Sequence, residues 1–246
     1  MRRLQRVALP KAAASYLTRR QTAANLKRQQ RQLDITADWK SARQTKAMGS
    51  VLSTLQSMVG ARQRCMYCLD SHGSDIEHFR PKANFPGRMY HWPTLLLCCA
   101  ECGRFKGNQF PVAGRRTLLV DPTKENPWDH LDFDPVTGNI CARFDLKSGT
   151  WSTKGEKTVE VLQLDRREAL SAGYLQTLRR LSNEVQVDLA GGAVDASKLV
   201  ARLKPEDDHG LLAWCFGDRG KTHQPFSDLH QKYPTVWRRC CRALKA

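Results

Sequence analysis

No apolar run in the 246-residue chain approaches the roughly twenty residues that a membrane-crossing helix needs, so no membrane partner is expected. The first residues, Met1-Arg2-Arg3-Leu4-Gln5-Arg6, lack the apolar stretch and cleavage site of a secretory signal, and the expectation is a cytoplasmic protein. Internal repeats and low-complexity linkers are also missing, which argues against solenoids and arrays and for a single unit wrapped by helices. Acidic residues are scarce: 24 Asp and Glu stand against 40 Lys and Arg, a formal charge of +16. The deficit is steepest in residues 1–64, where Asp34 and Asp38 face fourteen Lys and Arg for a local charge of +12. A field of that sign favours a polyanion, and nucleic acid is the commonest one in a cytosol; a solubilising surface or an arm gripping an acidic protein explains the charge equally well.

What is present divides the chain in three. Residues 1–64 form a basic helical region, with one helix expected from Ala12 to Arg31 and a second, capped by Thr36 or Asp38, carrying Trp39, Met48, Val51, Leu52, Leu55, Met58 and Val59 to a stop at Gly60. Residues 65–150 turn rich in Cys, His, Pro, Gly and aromatics. A strand is expected at Thr117–Val120, and a hairpin from Leu131–Phe133 and Ile140–Phe144 around Thr137-Gly138-Asn139. Residues 151–246 return to helical patterning, with helices expected at Arg166–Leu181 behind Asp165, Ala196–Leu203, Pro205–Phe216 and Tyr233–Leu244. The fold class is α+β.

Nine cysteines, an odd number, suit reduced thiols better than a disulfide framework. Four of them form Cys65-x-x-Cys68 and Cys99-x-x-Cys102, with 30 residues between the pairs. Two tight turns of two thiolates each can close around one tetrahedral structural Zn²⁺ and fix a segment that buries too little to fold alone. Cys98 adjoins the second pair, while Cys141, Cys215, Cys240 and Cys241 lack paired spacing and read as packing thiols. Between the pairs lies Asp75-Ile76-Glu77-His78-Phe79-Arg80-Pro81-Lys82. A neutral imidazole can take a proton from water, while a neighbouring carboxylate can hold a divalent cation against a phosphate.

The order Cys-x-x-Cys, Glu-His-x-x-Pro, Cys-x-x-Cys and then Lys resembles the zinc-bearing HNH, or ββα-metal, endonucleases. A narrower similarity runs through Cys65-Met66-Tyr67-Cys68, Ile76 to Lys82, Leu95 to Cys99, Lys106-Gly107, Phe110-Pro111, Leu118 to Pro122 and Lys157 to Asp165. It covers residues 60–185 and resembles the HNH nucleases of prokaryotic antiphage loci, the Septu nuclease subunit and its retron-associated relatives. The resemblance implies a zinc-stapled ββα-metal core with helical N- and C-terminal extensions, DNA as substrate, catalytic Mg²⁺ or Mn²⁺, and an ABC-type ATPase partner. It makes His78 the general base, Glu77 the metal carboxylate, and Cys65, Cys68, Cys99 and Cys102 the zinc ligands. Asp75 is a second candidate for the metal or for orienting His78.

Two positions depart from the family pattern. Thr94 stands where an Asn is common, and Gly103 where Asn or His follows the fourth Cys. Thr94 could orient His78 through its hydroxyl, and His91 or Asn108 could complete the metal site. Arg80, Lys82, Arg88, Arg104 and Lys106 crowd the same segment as candidate phosphate contacts. The competing expectation is a catalytically inactive, zinc-supported nucleic-acid-binding or adaptor subunit of an ATPase complex.

Overall fold

The computed structural model describes residues 1–245 and confirms the mixed α+β class. The chain divides into two compact units, Arg3–Glu125, and Asn126–Ala246 together with Met1–Arg2. None of the described helices is long and apolar enough to cross a membrane.

The first unit begins with helices α1 (Lys11–Gln29), α2 (Ile35–Arg43) and α3 (Lys46–Met58). Two four-residue strands follow, β1 (Asp75–His78) and β2 (Leu95–Cys98), then helix α4 (Ala100–Lys106) and a small hairpin, β3 (Val112–Ala113) with β4 (Arg116–Thr117). Leu17 and Ala24 of α1 face inward, while Leu26 is exposed. The single helix expected up to Gly60 is two. Asp34 caps α2, accepting from Ala37 N at 2.9 Å, and Thr45 starts α3 by accepting from Met48 N at 3.4 Å. This break lets Trp39 turn toward His78 and Tyr90, while Met48, Val51 and Leu55 bury a separate stripe and α3 packs on β2. Gly73 must be glycine, because a Cβ there would lie 2.4 Å from Leu97 Cγ.

One buried carboxylate ties this unit together. Asp38 accepts from Tyr90 OH at 2.6 Å, Arg20 Nη2 at 2.7 Å and Lys27 Nζ at 2.8 Å. Gln21 Oε1 accepts from Tyr90 N at 2.8 Å, so α1 and α2 jointly fix the backbone of the segment that carries Met89. Burial alone would raise the Asp38 pKa, but the hydrogen bonds from Lys27 and Tyr90 and the charge of Arg20 prevail and hold it below its ordinary value. A depressed carboxylate contributes stability above its unfolded pKa, about 3.9, and loses it as pH falls through the folded value. Asp38→Asn is therefore expected to cost about 3 kcal/mol at pH 7, the low end for stripping one partner from a buried ion pair, because Lys27 and Arg20 are partly solvated. Urea unfolding should show the gap to the parent narrowing progressively as pH falls below 4 toward the depressed folded value; a gap that does not change between pH 7 and pH 2 would mean the carboxylate charge is not its source.

In the second unit the expected hairpin is present: β5 (Leu131–Phe133) pairs antiparallel with β6 (Ile140–Ala142), turning at Gly138, whose φ of 79° favours glycine. A short ribbon, β7 (Phe144–Asp145) with β8 (Thr150–Trp151), leads to α5 (Thr153–Leu162) and α6 (Glu168–Gly191). The helix α6 runs past the expected end at Leu181, to the left-handed Gly192. α7 (Ala196–Glu206) continues through Pro205, one residue before its end, and the helix expected at Pro205–Phe216 shrinks to α8 (Leu212–Cys215). α9 (Phe226–Lys232) and α10 (Pro234–Lys245) close the unit, with Trp237 stacked on Phe216 at 4.9 Å between ring centroids.

Candidate functional site

Local backbone geometry builds the two cysteine turns. Leu69 N donates to Cys65 O at 2.9 Å, and Leu69 takes a left-handed φ of 54°, which closes the first turn. Met66 N donates to Leu97 O at 2.9 Å and holds that turn against β2. The second pair opens α4: Cys99 is its cap, with the sulfur accepting from Cys102 N at 3.4 Å. The Sγ atoms of Cys65, Cys68, Cys99 and Cys102 all lie within 4.8 Å of one another, and all four residues are buried. A Zn–S bond of about 2.3 Å places the sulfurs of a tetrahedron about 3.8 Å apart. Cys68 Sγ and Cys99 Sγ are 3.9 Å apart, too far for a disulfide and right for a shared cation. Hydrogen bonds from Cys102, Cys65 and Cys68 drive the Cys99 pKa down, while those shared with Cys65 and Cys68 drive Cys102 up. A shared cation would relieve this competition for protons by holding all four sulfurs as thiolates, and this buried cluster fits structural zinc. Cys98 stays outside it, its thiol donating to Cys99 O at 3.2 Å.

The same hairpin presents the acid and the histidine. β1 pairs antiparallel with β2 in the register Glu77↔Leu96 and His78↔Leu95. Neighbours on a strand point to opposite faces, so Glu77 and His78 separate. Glu77 faces α4, where Lys106 Nζ donates to Glu77 Oε1 at 2.8 Å and to His78 O at 2.7 Å. Lys106, expected among the phosphate contacts, is instead fully buried between the strand and the helix. Burial raises the Glu77 pKa against the opposing pull of Lys106.

His78 is 3% exposed and turns to the other side, with the Trp39 ring set edge-on at 4.3 Å. Its Nε2 lies 2.9 Å from Met89 O. A carbonyl only accepts, so Nε2 carries the proton and Nδ1 keeps the lone pair. Burial, then the charge of Lys82, pushes the His78 pKa down to about 3, which leaves the imidazole neutral at physiological pH.

The remaining candidates disperse. Asp75 is 64% exposed and ion-paired with Arg43, and it shares the strand face of Glu77 rather than that of His78. Thr94 Oγ1 donates to His91 O at 2.8 Å, so its hydroxyl braces the turn before β2 and the Met89 carbonyl orients His78. His91 and Asn108 are exposed in the flanking loops. Among the described residues, the four cysteines are the one group of three or more His, Cys, Asp or Glu side chains close enough to share an ion. Gly103 has its Cβ direction 3.9 Å from Glu77 Oε2, so it lies where a longer helix residue would meet that carboxylate. Arg80 rests over the rings of Phe85 and Phe110, at 5.4 and 5.2 Å, while Arg88 and Arg104 are exposed. Trp39, Arg43 and the Met89 carbonyl were not legible as site groups, since no local spacing links them to His78.

No protein-family model matches the chain. The chain is 33% identical over 150 residues to the Septu protein PtuB of Bacillus mycoides (strain KBAB4), covering 48% of each. It is 30% identical over 115 residues to the Septu protein PtuB of Bacillus thuringiensis, covering 45% of this chain and 40% of the relative. A third similarity, 29% over 133 residues, is to the Septu protein PtuA of Bacillus mycoides (strain KBAB4), covering 42% of this chain and 18% of that protein. The chain thus resembles proteins named Septu PtuB, and it spans about half or less of the length of the curated relatives it matches.

Proposed function

We propose that the chain is a metal-dependent HNH endonuclease that hydrolyses phosphodiester bonds in DNA, as the effector of a prokaryotic antiphage defence system beside an ABC-type ATPase subunit. The observation that carries this reading is a four-cysteine cluster bracing a β-hairpin against α4, with a neutral histidine held by one nitrogen on that hairpin. An oriented imidazole with a free lone pair meets the geometric requirement of a general base for water, and the negative charge of a bound phosphate would raise its basicity from the depressed value. Met89 O keeps the ring in one tautomer, Trp39 restricts its rotation and excludes solvent, and Nδ1 accepts the proton of the attacking water. Mg²⁺ commonly takes one or two protein carboxylates and completes its shell with waters and phosphate oxygens. Glu77, paired with Lys106 on the strand face opposite His78, is the carboxylate this reading assigns to the cation, since Gly103 leaves space beside Oε2, and His91 or Asn108 would be the further ligands from the flanking loops. The cation, when bound, offsets the charge that develops on the phosphate. The similarity to both PtuB and a section of PtuA supports a setting in which sequences of the two kinds work together.

A second reading is favoured by Gly103 and by the burial of Lys106 against Glu77: an inactive, zinc-supported nucleic-acid-binding or adaptor subunit. Supercoiled plasmid separates the two. The purified chain, alone and with its partner ATPase, is expected to nick plasmid with Mg²⁺ or Mn²⁺ and to stop in EDTA. Stable complex formation without nicking under any of these conditions would support the second reading.

A further inference from the structure

A cavity of about 440 Å³ is lined by Thr36, Trp39, Lys40, Arg43, Gln44, Asp75 and Lys82. Its size lies in the range of ordinary ligand pockets, roughly 300–1,000 Å³. Trp39 is shared: it forms part of the cavity wall and touches the His78 ring. Three cations, Lys40, Arg43 and Lys82, face one carboxylate, Asp75, so the cavity is electropositive. Arg43 and Lys82 share the cavity wall with Trp39, the ring that touches the imidazole. Arg43 is already engaged by an acid, the exposed Asp75.

We infer that this cavity seats a phosphodiester of the nucleic-acid substrate, and that Arg43, helped by Lys40 and Lys82, positions it for His78. The inference rests on the proposed nuclease reading and deepens it by assigning the phosphate grip to α2. Arginine presents a planar fork that matches two phosphate oxygens as well as it matches a carboxylate. Asp75 thus occupies Arg43 as an internal substitute for phosphate, and because the Asp75 carboxylate is largely exposed it can turn into solvent and yield Arg43 to a phosphate. Thr36 and Gln44 add neutral hydrogen-bonding groups at the wall, and the Trp39 ring offers an indole surface for a base next to the bound phosphate. Of the five cations first expected to do this work, Lys82 lines the cavity, whereas Lys106 is buried on the Glu77 side and Arg80 rests over two phenyl rings.

The test uses the full chain carrying His78→Ala, so that no cleavage intervenes, and fluorescence anisotropy of a labelled twelve-nucleotide oligothymidine and of its duplex with oligoadenine. Arg43→Gln should weaken binding at least tenfold and lower the slope of log affinity against log salt by about one. Asp75→Asn should tighten binding severalfold, a change opposite in sign to that expected if the pair only supports the fold. Arg166→Gln, an equal loss of charge in the second unit, should change affinity less than twofold, and Arg43→Lys should recover part of the loss if Arg43→Gln is poorly folded. Indole fluorescence should be quenched by the oligonucleotide, and millimolar inorganic phosphate should compete. Unchanged affinity in both Arg43→Gln and Asp75→Asn, or no binding by the parent, overturns the assignment. Binding that depends on Arg43, in a wild-type chain that never cleaves, leaves the phosphate seat standing and removes the nuclease reading instead.

Discussion

Replacing Cys102 with serine, or holding the protein in a strong chelator at neutral pH, is expected to unfold the region around the β1–β2 hairpin and to release one equivalent of zinc. The hairpin has two strands of four residues each, and an isolated two-stranded pair is marginal in water. The chain between Gly60 and Asp75 has no helix or strand longer than a single bridge pair, Arg64 with His72, so few backbone hydrogen bonds hold it. Structural zinc sites contribute about 10–16 kcal/mol of apparent binding energy at pH 7, comparable with the whole stability of a small domain, about 5–15 kcal/mol. Losing one of four ligands should cost about 3 kcal/mol or more, which lowers the melting temperature of a unit this size by roughly 10 °C or more. Metal content after gel filtration and thermal circular dichroism make the measurement. Cys98→Ser is the control, because its sulfur lies outside the cluster, and it should retain the metal. A Cys102→Ser protein with parental melting, or a parent that carries no zinc when grown with it, would leave the cysteines as core thiols.

The cysteine centre was legible because its chemistry is local: two residues set each turn, and few side chains other than thiolates satisfy that spacing. The hairpin at Gly138 and the last helix were legible for the same reason, since a turn residue and a period of 3.6 are short-range signals. The break between α2 and α3 was not, because Gln44 and Thr45 include neither glycine nor proline and the apolar stripe runs on across them. Lys106 misled for a different reason. A lysine in a basic loop reads as solvated, and its burial follows only once the β1–β2 register brings Glu77 opposite α4. Trp39 reads at helical spacing as one more core residue. Its contact with His78 joins residues far apart in sequence and depends on Asp38 and Tyr90 fixing the Met89 segment.

His78→Ala is expected to lower the rate of metal-dependent DNA cleavage by about a thousandfold, within the 10²–10⁴ that a positioned general base supplies. That corresponds to about 4 kcal/mol of transition-state stabilisation. The ring also packs edge-on against Trp39 and donates to Met89 O, so its removal opens a small cavity and strands a buried carbonyl, costing about 1–3 kcal/mol of stability. Those two effects must be separated. His78→Gln fills more of the space and can keep a donor toward Met89 O, yet its amide is not a base, so it should fold more nearly like the parent and still fail to cleave. Zinc content should be unchanged in both, because His78 is not part of the cysteine cluster. Oligonucleotide affinity should also hold, since the imidazole acts on water and the cavity cations hold the phosphate. Single-turnover cleavage, measured beside melting and binding, reads all three. A His78→Gln protein cleaving within tenfold of the parent would place the base elsewhere, and a parallel loss of folding, zinc and affinity would reduce His78 to a packing residue of the hairpin.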